Sequence, residues 1–272
     1  DDRVTGNLAT YAKQAKVIHF EIDPAEVDKN VKTDVAVLAD VKEALTALIP
    51  LIDKKSHDSW HNEFKKKYEI ELEAVINEEL KPTNGKGISM GETIEMINKH
   101  SKGDAIIVSD VGQHQMFACR YAKFNSTKSN VTSGGLGTMG FGLPAAIGAK
   151  MGRPDREVVA IIGDGGFQMN IQELGTIFQT QVPVKIVVLN NEFLGMVRQW
   201  QELFFDNRYA STKMINPNFI AIAEGYHIKS RKVTQREDLD AAVAEMLASK
   251  DSYFLEVMIE KENNVFPMIP TG

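Results

Sequence analysis

Gly163-Asp164-Gly165-Gly166-Phe167, a helical run over residues 168–179, and then Val184-Lys185-Ile186-Val187-Val188-Leu189-Asn190-Asn191 form the stretch that decides the fold. Residues 158–162 read as an apolar strand that delivers Asp164 to its carboxyl end, and residues 184–189 as a second that delivers Asn191 to its own. A helix crossing between parallel strands returns the chain right-handed, so equivalent ends of both strands open into one crevice. That crevice is the expected ligand site.

A carboxylate and an amide oxygen at neighbouring strand ends make a hard-cation site of low ligand count. Mg²⁺ suits it, because that ion takes one or two protein carboxylates and completes its octahedron with water and substrate phosphates. Gly165 and Gly166 let a phosphate approach the backbone where the next helix starts. The ligand expected from these residues is a metal diphosphate. Taken alone, Asp164 would read as a helix N-cap and Asn190-Asn191 as an ordinary turn; their joint spacing favours the cation.

This pairing resembles the thiamine-diphosphate motif of 2-oxoacid decarboxylases and carboligases. Two further segments narrow the resemblance: Thr132-Ser133-Gly134-Gly135-Leu136-Gly137-Thr138-Met139-Gly140-Phe141-Gly142-Leu143-Pro144-Ala145-Ala146-Ile147-Gly148-Ala149, and Gly195-Met196-Val197-Arg198-Gln199-Trp200-Gln201. Both are similar to the large catalytic subunits of the acetolactate synthase (acetohydroxyacid synthase) family. The similarity runs through nearly the whole chain.

Composition sets outer limits. A chain of 272 residues with 43% apolar content can bury one good α/β core and part of another. No stretch is apolar for long enough to span a membrane, and no signal-peptide pattern is present. The net charge of −6 and the lack of a basic, aromatic-studded stripe argue against a nucleic-acid binder. The single cysteine, Cys119, excludes an internal disulfide and fits a reducing, cytoplasmic setting.

In chain order, residues 16–22 and 34–38 read as strands, Pro24-Ala25-Glu26-Val27 as a turn or short helix, and residues 41–52 as a helix. Residues 1–52 are thus the last pieces of a βα domain, and a complete one would need strands upstream, so the chain is expected to be a fragment. The resemblance makes this the remnant of a middle domain that binds FAD structurally, with Asp2, Arg3, Glu21 and Asp40 at matching positions. Acids at strand ends are also common caps.

Residues 53–87 read as a linker helix lying on a surface by an aromatic stripe of Trp60, Phe64 and Tyr68, closed by the break at Pro82. His57 and His61 share a helical face but lack a third ligand. From residue 88 to 272 strands and helices alternate, with helices near 91–100, 113–121, 143–151, 214–224 and 236–249 and strands at 105–109, 227–232 and 253–259. The expected fold is α/β, a doubly wound parallel sheet, which by resemblance is the thiamine-diphosphate-binding fold.

Asp110-Val111-Gly112-Gln113-His114 follows a strand, so it reaches the same crevice. The resemblance places Gly112, Gln113 and His114 against the diphosphate, together with Gly137, Gly163, Asp164, Gly165 and Gly166. It makes Met139 an apolar wedge between the two cofactor rings, although Met139 also reads as core filler. By the resemblance, Mg²⁺ is expected to be held by the side chains of Asp164 and Asn191 and by the carbonyl of Phe193. Leu194, Gly195, Met196 and Val197 line the cofactor loop, and Met196 and Trp200 meet the substrate; a Trp there could equally be core.

Gly135-Leu136-Gly137-Thr138-Met139-Gly140 also satisfies G-x-G-x-x-G, with Asp164 about where a ribose-binding acid would stand, so a nicotinamide-dependent oxidoreductase is the rival reading. The preceding Asn130-Val131-Thr132-Ser133 is short and polar for a buried first strand, and Asn190-Asn191 would have no role. Another thiamine-diphosphate decarboxylase, or a module that binds the cofactor without turnover, are the remaining alternatives. The resemblance implies an enzyme of branched-chain amino-acid biosynthesis that decarboxylates pyruvate and joins the two-carbon unit to a second 2-oxoacid, pyruvate or 2-oxobutanoate. It implies a homodimer or larger assembly, leaves a regulatory small subunit open, and assigns the activating glutamate to an N-terminal domain that nothing in residues 1–87 resembles. No catalytic residue is therefore expected within the fragment, which should bind cofactor and be inactive alone.

Overall fold

A computed structural model describes residues 5–81 and 87–266, in two compact units that divide between Ile70 and Glu71. Asp2 and Arg3, and all but the last residue of the expected break at 82–87, lie outside the described residues. The first unit holds two parallel strands, β1 (Ile18–Glu21) and β2 (Val35–Leu38), joined by a 3₁₀ turn at Pro24–Glu26 and followed by helix α1 (Val41–Leu48). Among its described residues Ala44 is the only buried one. Helix α2 (Asp58–Glu71) is followed by a π-helical turn at Leu72–Ile76 and by α3 (Asn77–Leu80). Its aromatic stripe does not cover a surface as expected: Trp60, Phe64 and Tyr68 are all exposed, and Trp60 packs edge-on against Phe64.

The second unit is a six-stranded, all-parallel sheet. In chain order its elements are α4 (Met90–Ser101), β3 (Ile106–Ser109), α5 (Gln113–Tyr121), β4 (Asn130–Thr132), α6 (Gly142–Gly152), β5 (Val158–Gly163), α7 (Asp164–Met169), α8 (Leu174–Thr180), β6 (Lys185–Asn190), α9 (Gly195–Phe204), α10 (Phe219–Gly225), β7 (Lys229–Val233), α11 (Arg236–Ala248) and β8 (Tyr253–Met258). The strands lie in the order β4-β3-β5-β6-β8-β7. β3, β5, β6 and β8 are buried almost throughout, which is why they read as continuous Val/Ile/Leu runs rather than alternating ones. One face packs Ile107, Ile161 and Leu255 against α4, α5 and α11, and the other packs Val108, Ile162 and Phe254 against α6, α8 and α10. The sheet is doubly wound, as expected.

Three local departures have physical causes. The expected helix over 168–179 is split at Asn170, whose φ of −133° leaves the helical region while its side chain donates to the Gly140 carbonyl. The helix expected from 214 begins only at Phe219, because Pro217 holds the preceding residue extended and Asn218 caps the Ala221 amide. β4 was too short and polar to be read as a strand; it is an edge strand paired only with β3.

Candidate functional site

Three parallel strands end at one cleft. β3 leads into Val111, Gly112, Gln113 and His114, β5 into Asp164, Gly165 and Gly166, and β6 into Asn191 and the segment from Phe193 to Val197, all of which line it. Gly163 is in register with Leu189, so Asp164 emerges beside Asn190, one residue short of Asn191. The chain leaves β3 for β4 on one side and returns to β5 on the other, which makes the β3/β5 junction a switch point in strand order. Met139 closes the wall, with Met90, which sequence reasoning missed.

The first residues of α5, α7 and α9 all line this cleft, and none of these helices has a side-chain cap. By contrast α1, α4 and α10 are capped by Asp40, Ser89 and Asn218. Uncapped helix starts present backbone amides to anions. The start of α6 is different. Both oxygens of Asp110 accept from the Gly140 amide, at 2.9 and 3.1 Å, just ahead of the helix start. The helix that follows G-x-G-x-x-G is therefore closed by the protein's own carboxylate, which removes the phosphate site that the nicotinamide reading needs.

His114 is buried with its Nε2 lacking any partner, and burial pushes its pKa down to about 4, so the ring is neutral. It lies against Gly163, where a Cβ would come within 2.9 Å of the ring. Gly195 is under a similar constraint, since a Cβ there would meet Gln113 Oε1 at 2.1 Å. Asp164 is almost fully buried, and burial raises its pKa to about 6 against the lowering effect of Asn216 and of the Gly165 and Glu192 amides. Asn191 Oδ1 accepts from the Phe193 amide at 3.1 Å, and Asn190 Oδ1 from the Glu192 amide at 3.1 Å, so the ordinary-turn reading of this pair is also realised. An amide oxygen in such a turn keeps a second lone pair. A buried carboxyl, an amide oxygen, glycine backbone and an orphaned imidazole nitrogen form a donor set that fits a metal-bridged diphosphate.

Several expected residues lie elsewhere. Gly137 and Trp200 do not line the cleft, and the half-exposed Trp200 ring packs on Phe204 at 4.8 Å. Asp40 is an N-cap, and Glu21 accepts from the Ile22 and Asp23 amides. Among the described residues no group of three or more His, Cys, Asp or Glu side chains could hold a metal, His57 and His61 included. Asn216, which no motif marked, donates to Asp164 Oδ2 at 2.7 Å.

The sequence profile described as thiamine pyrophosphate enzyme, C-terminal TPP binding domain, matches residues 110–257. The chain belongs to the thiamine pyrophosphate enzyme family. The profile of the central domain of thiamine pyrophosphate enzymes matches residues 1–48, which fall in the first unit. Over its whole length the chain is 42% identical to acetolactate synthase 2, chloroplastic, of Nicotiana tabacum, 43% to the acetolactate synthase large subunit of Lactococcus lactis subsp. lactis, and 41% to acetolactate synthase isozyme 2 large subunit of Escherichia coli. It spans 42%, 46% and 48% of those proteins respectively, a little under half. No helix among the described residues of this thiamine pyrophosphate enzyme is long and apolar enough to cross a membrane.

Proposed function

We propose that the whole protein is an acetolactate synthase and that this chain carries its diphosphate-and-metal half. The observation that carries the reading is the identity of 41 to 43% across the entire chain to acetolactate synthases, joined to a cleft in which Asp164 and Asn191 stand at adjacent strand ends. The reaction would release CO₂ from pyruvate and bond the remaining two-carbon unit to the carbonyl carbon of pyruvate or 2-oxobutanoate, giving 2-acetolactate or 2-aceto-2-hydroxybutyrate. Thiamine diphosphate supplies the carbanion-stabilising chemistry when bound.

This chain's residues bind and orient. Asp164 and Asn191, with the Phe193 carbonyl, would hold Mg²⁺. Gly112, Gln113, His114 and the Gly163 to Gly166 turn would meet the diphosphate, and Met139, Leu194, Gly195, Met196 and Val197 would enclose the rest. Trp200 would select the acceptor acid after a movement of α9. Residues 1–52 would be the remnant of an FAD-binding middle domain, 53–87 a linker and 88–272 the cofactor domain; two strands and one buried side chain give the remnant little hold on FAD alone. The activating carboxylate would come from an N-terminal domain in a homodimer or larger assembly, since the carboxylates of Asp110 and Asp164 are both committed to the diphosphate end.

Calorimetric titration of thiamine diphosphate with and without Mg²⁺, against NAD as control, tests the binding half of the proposal. Heat with the cofactor only when metal is present, and none with NAD, is expected; metal-independent binding in excess chelator would overturn it. Incubated with pyruvate, cofactor and Mg²⁺, the chain alone should form no acetolactate and should gain activity when its N-terminal part is supplied. Turnover by the chain alone at the full-length rate would place the activating acid within these 272 residues.

A further inference from the structure

Asp164 and Asn191 belong to a motif, whereas Asn216 comes from a loop far along the chain. It is brought in because residues 192–194 pair with residues 212–214: the Leu194 amide donates to Thr212 O and the Met214 amide to Glu192 O, both at 2.8 Å, and Phe193 and Lys213 form an antiparallel bridge. Three residues beyond that bridge, Asn216 Nδ2 donates to Asp164 Oδ2 at 2.7 Å and to Asn190 Oδ1 at 3.0 Å, while its Oδ1 accepts from Gln168 Nε2 at 2.8 Å. Among the side chains of the described residues, Asn216 is the one shown bonding to Asp164.

The direction of these bonds is set from one end. Glu256, buried on β8, is an acceptor and takes the Asn190 Nδ2 donor at 2.7 Å, supported by Lys232 Nζ at 3.2 Å. Asn190 must therefore turn its oxygen toward Asn216. Asn216 in turn must present its amino group, never its oxygen, to Asp164. A carboxylate whose one oxygen is pinned by a neutral donor keeps its other oxygen and its whole charge for a cation, and such outer partners commonly set metal affinity.

We propose that Asn216, oriented through Asn190 by the buried Glu256, is a positioning residue for the metal carboxylate Asp164. The inference rests on the reading of Asp164 as a metal ligand given above. Its test is Mn²⁺ in place of Mg²⁺, titrated into the chain with thiamine diphosphate and followed by electron paramagnetic resonance, with the melting temperature of the metal-free protein measured separately. Asn216→Ala and the isosteric Asn216→Asp should weaken Mn²⁺ binding by about 10- to 100-fold. Should these fail to fold, Gln168→Met, which removes only the donor fixing the Asn216 oxygen, should weaken it by about threefold to tenfold. Variants that lower the metal-free melting temperature yet bind Mn²⁺ as tightly as the unsubstituted chain would overturn the positioning role. If Asp164→Ala also leaves Mn²⁺ affinity unchanged, or the unsubstituted chain binds no Mn²⁺, the underlying metal reading falls with it; loss on Asp164→Ala alone leaves that reading standing and removes only Asn216.

Discussion

Residues 134–142 and residues 163–166 are both glycine-rich and both run into a helix beside the same cleft, but only the glycines of the second line that cleft. Ahead of α6 the Gly140 amide is taken by Asp110, and Asn170 holds the Gly140 carbonyl from the other side. At α7 the acid is the motif's own Asp164, whose side chain turns toward Asn216 and β6. Asp110 lies between the two, so close to the second stretch that a Cβ on Gly166 would meet its Oδ2 at 2.7 Å. Glycine spacing thus reports a close backbone approach in both places. What approaches differs: Asn170 and Met169 at Gly140, and Leu194 and Asp110 at Gly165 and Gly166.

The sharpest way to break this comparison is to remove each acid. Asp110→Ala would leave the buried Gly140 amide without its partner, so a loss of about 1 to 3 kcal/mol of stability is expected. Asp164→Ala should leave the metal-free protein at least as stable as before, because a buried carboxyl is removed, while abolishing metal-dependent cofactor binding. Urea unfolding and calorimetry on both variants check the pair. Equal stability losses would mean that the two acids play the same structural part.

Acidity separates the groups further. Asp164, raised from 3.8 to about 6 chiefly by burial, holds its proton more tightly folded than unfolded. Its contribution in the metal-free protein therefore falls as pH rises from about 4 to about 6, by about 3 kcal/mol. His114, lowered from 6.5 to about 4 by burial, works in the opposite sense: stability is complete above about 6.5 and is lost, by a similar amount, as pH falls toward 4. The two slopes nearly cancel between pH 4 and 6. Asp164→Asn should expose the histidine slope and His114→Gln the carboxyl slope, so metal-free unfolding curves of the two variants should diverge in opposite directions; parallel profiles would refute the assignment. With metal present, protons compete for Asp164, and Mg²⁺ affinity should fall as pH drops below about 6.

The same contrast explains what could be read from the chain beforehand. β3, β5, β6 and β8 are buried on both faces, so their apolar runs were legible, and the adjacency of β5 and β6 followed from a right-handed crossover. Residues that touch the cleft through backbone or through the motif were legible too. Asp110 as the closure of α6, and Asn216 as a partner of Asp164, were not, because each acts across a long sequence separation on a backbone or side-chain atom and leaves no local pattern. The place of Trp200 on α9, half-exposed beside Phe204 and outside the cleft lining, was not legible either.

Gly195 offers a smaller perturbation at the third helix start. Gln113 reaches over it to donate to Gln199 Oε1 at 2.9 Å and to the Asn263 carbonyl at 3.1 Å. Gly195→Ala would drive its methyl into Gln113 Oε1 and dislodge that amide, at about 1 to 3 kcal/mol. Thermal unfolding should show the loss, and cofactor binding should weaken by about tenfold, the equivalent of 1.4 kcal/mol. An Ala variant of unchanged stability and affinity would mean that Gln113 moves aside without cost.

The smallest expected effect concerns how firmly α9 is held compared with α6. α6 buries Leu143, Ala146 and Ile147, whereas the residues of α9 that are buried are Arg198 and Gln199, with Val197, Trp200, Leu203 and Phe204 exposed. Polar contacts fix α9 instead: Arg198 pairs with Glu202 and Glu262 and lies over the Phe193 and Tyr209 rings, and Gln199 bonds to Val265. An element with few buried apolar contacts opens locally at low cost. Its first residues line the cleft, so a ligand bound there adds stability to the closed form and none to the open one. Hydrogen exchange over residues 191–205 should therefore slow by about tenfold when thiamine diphosphate and Mg²⁺ are added, while residues 142–152 change little. Equal protection of α9 with and without ligand would show that its polar anchors already hold it as firmly as the buried face holds α6.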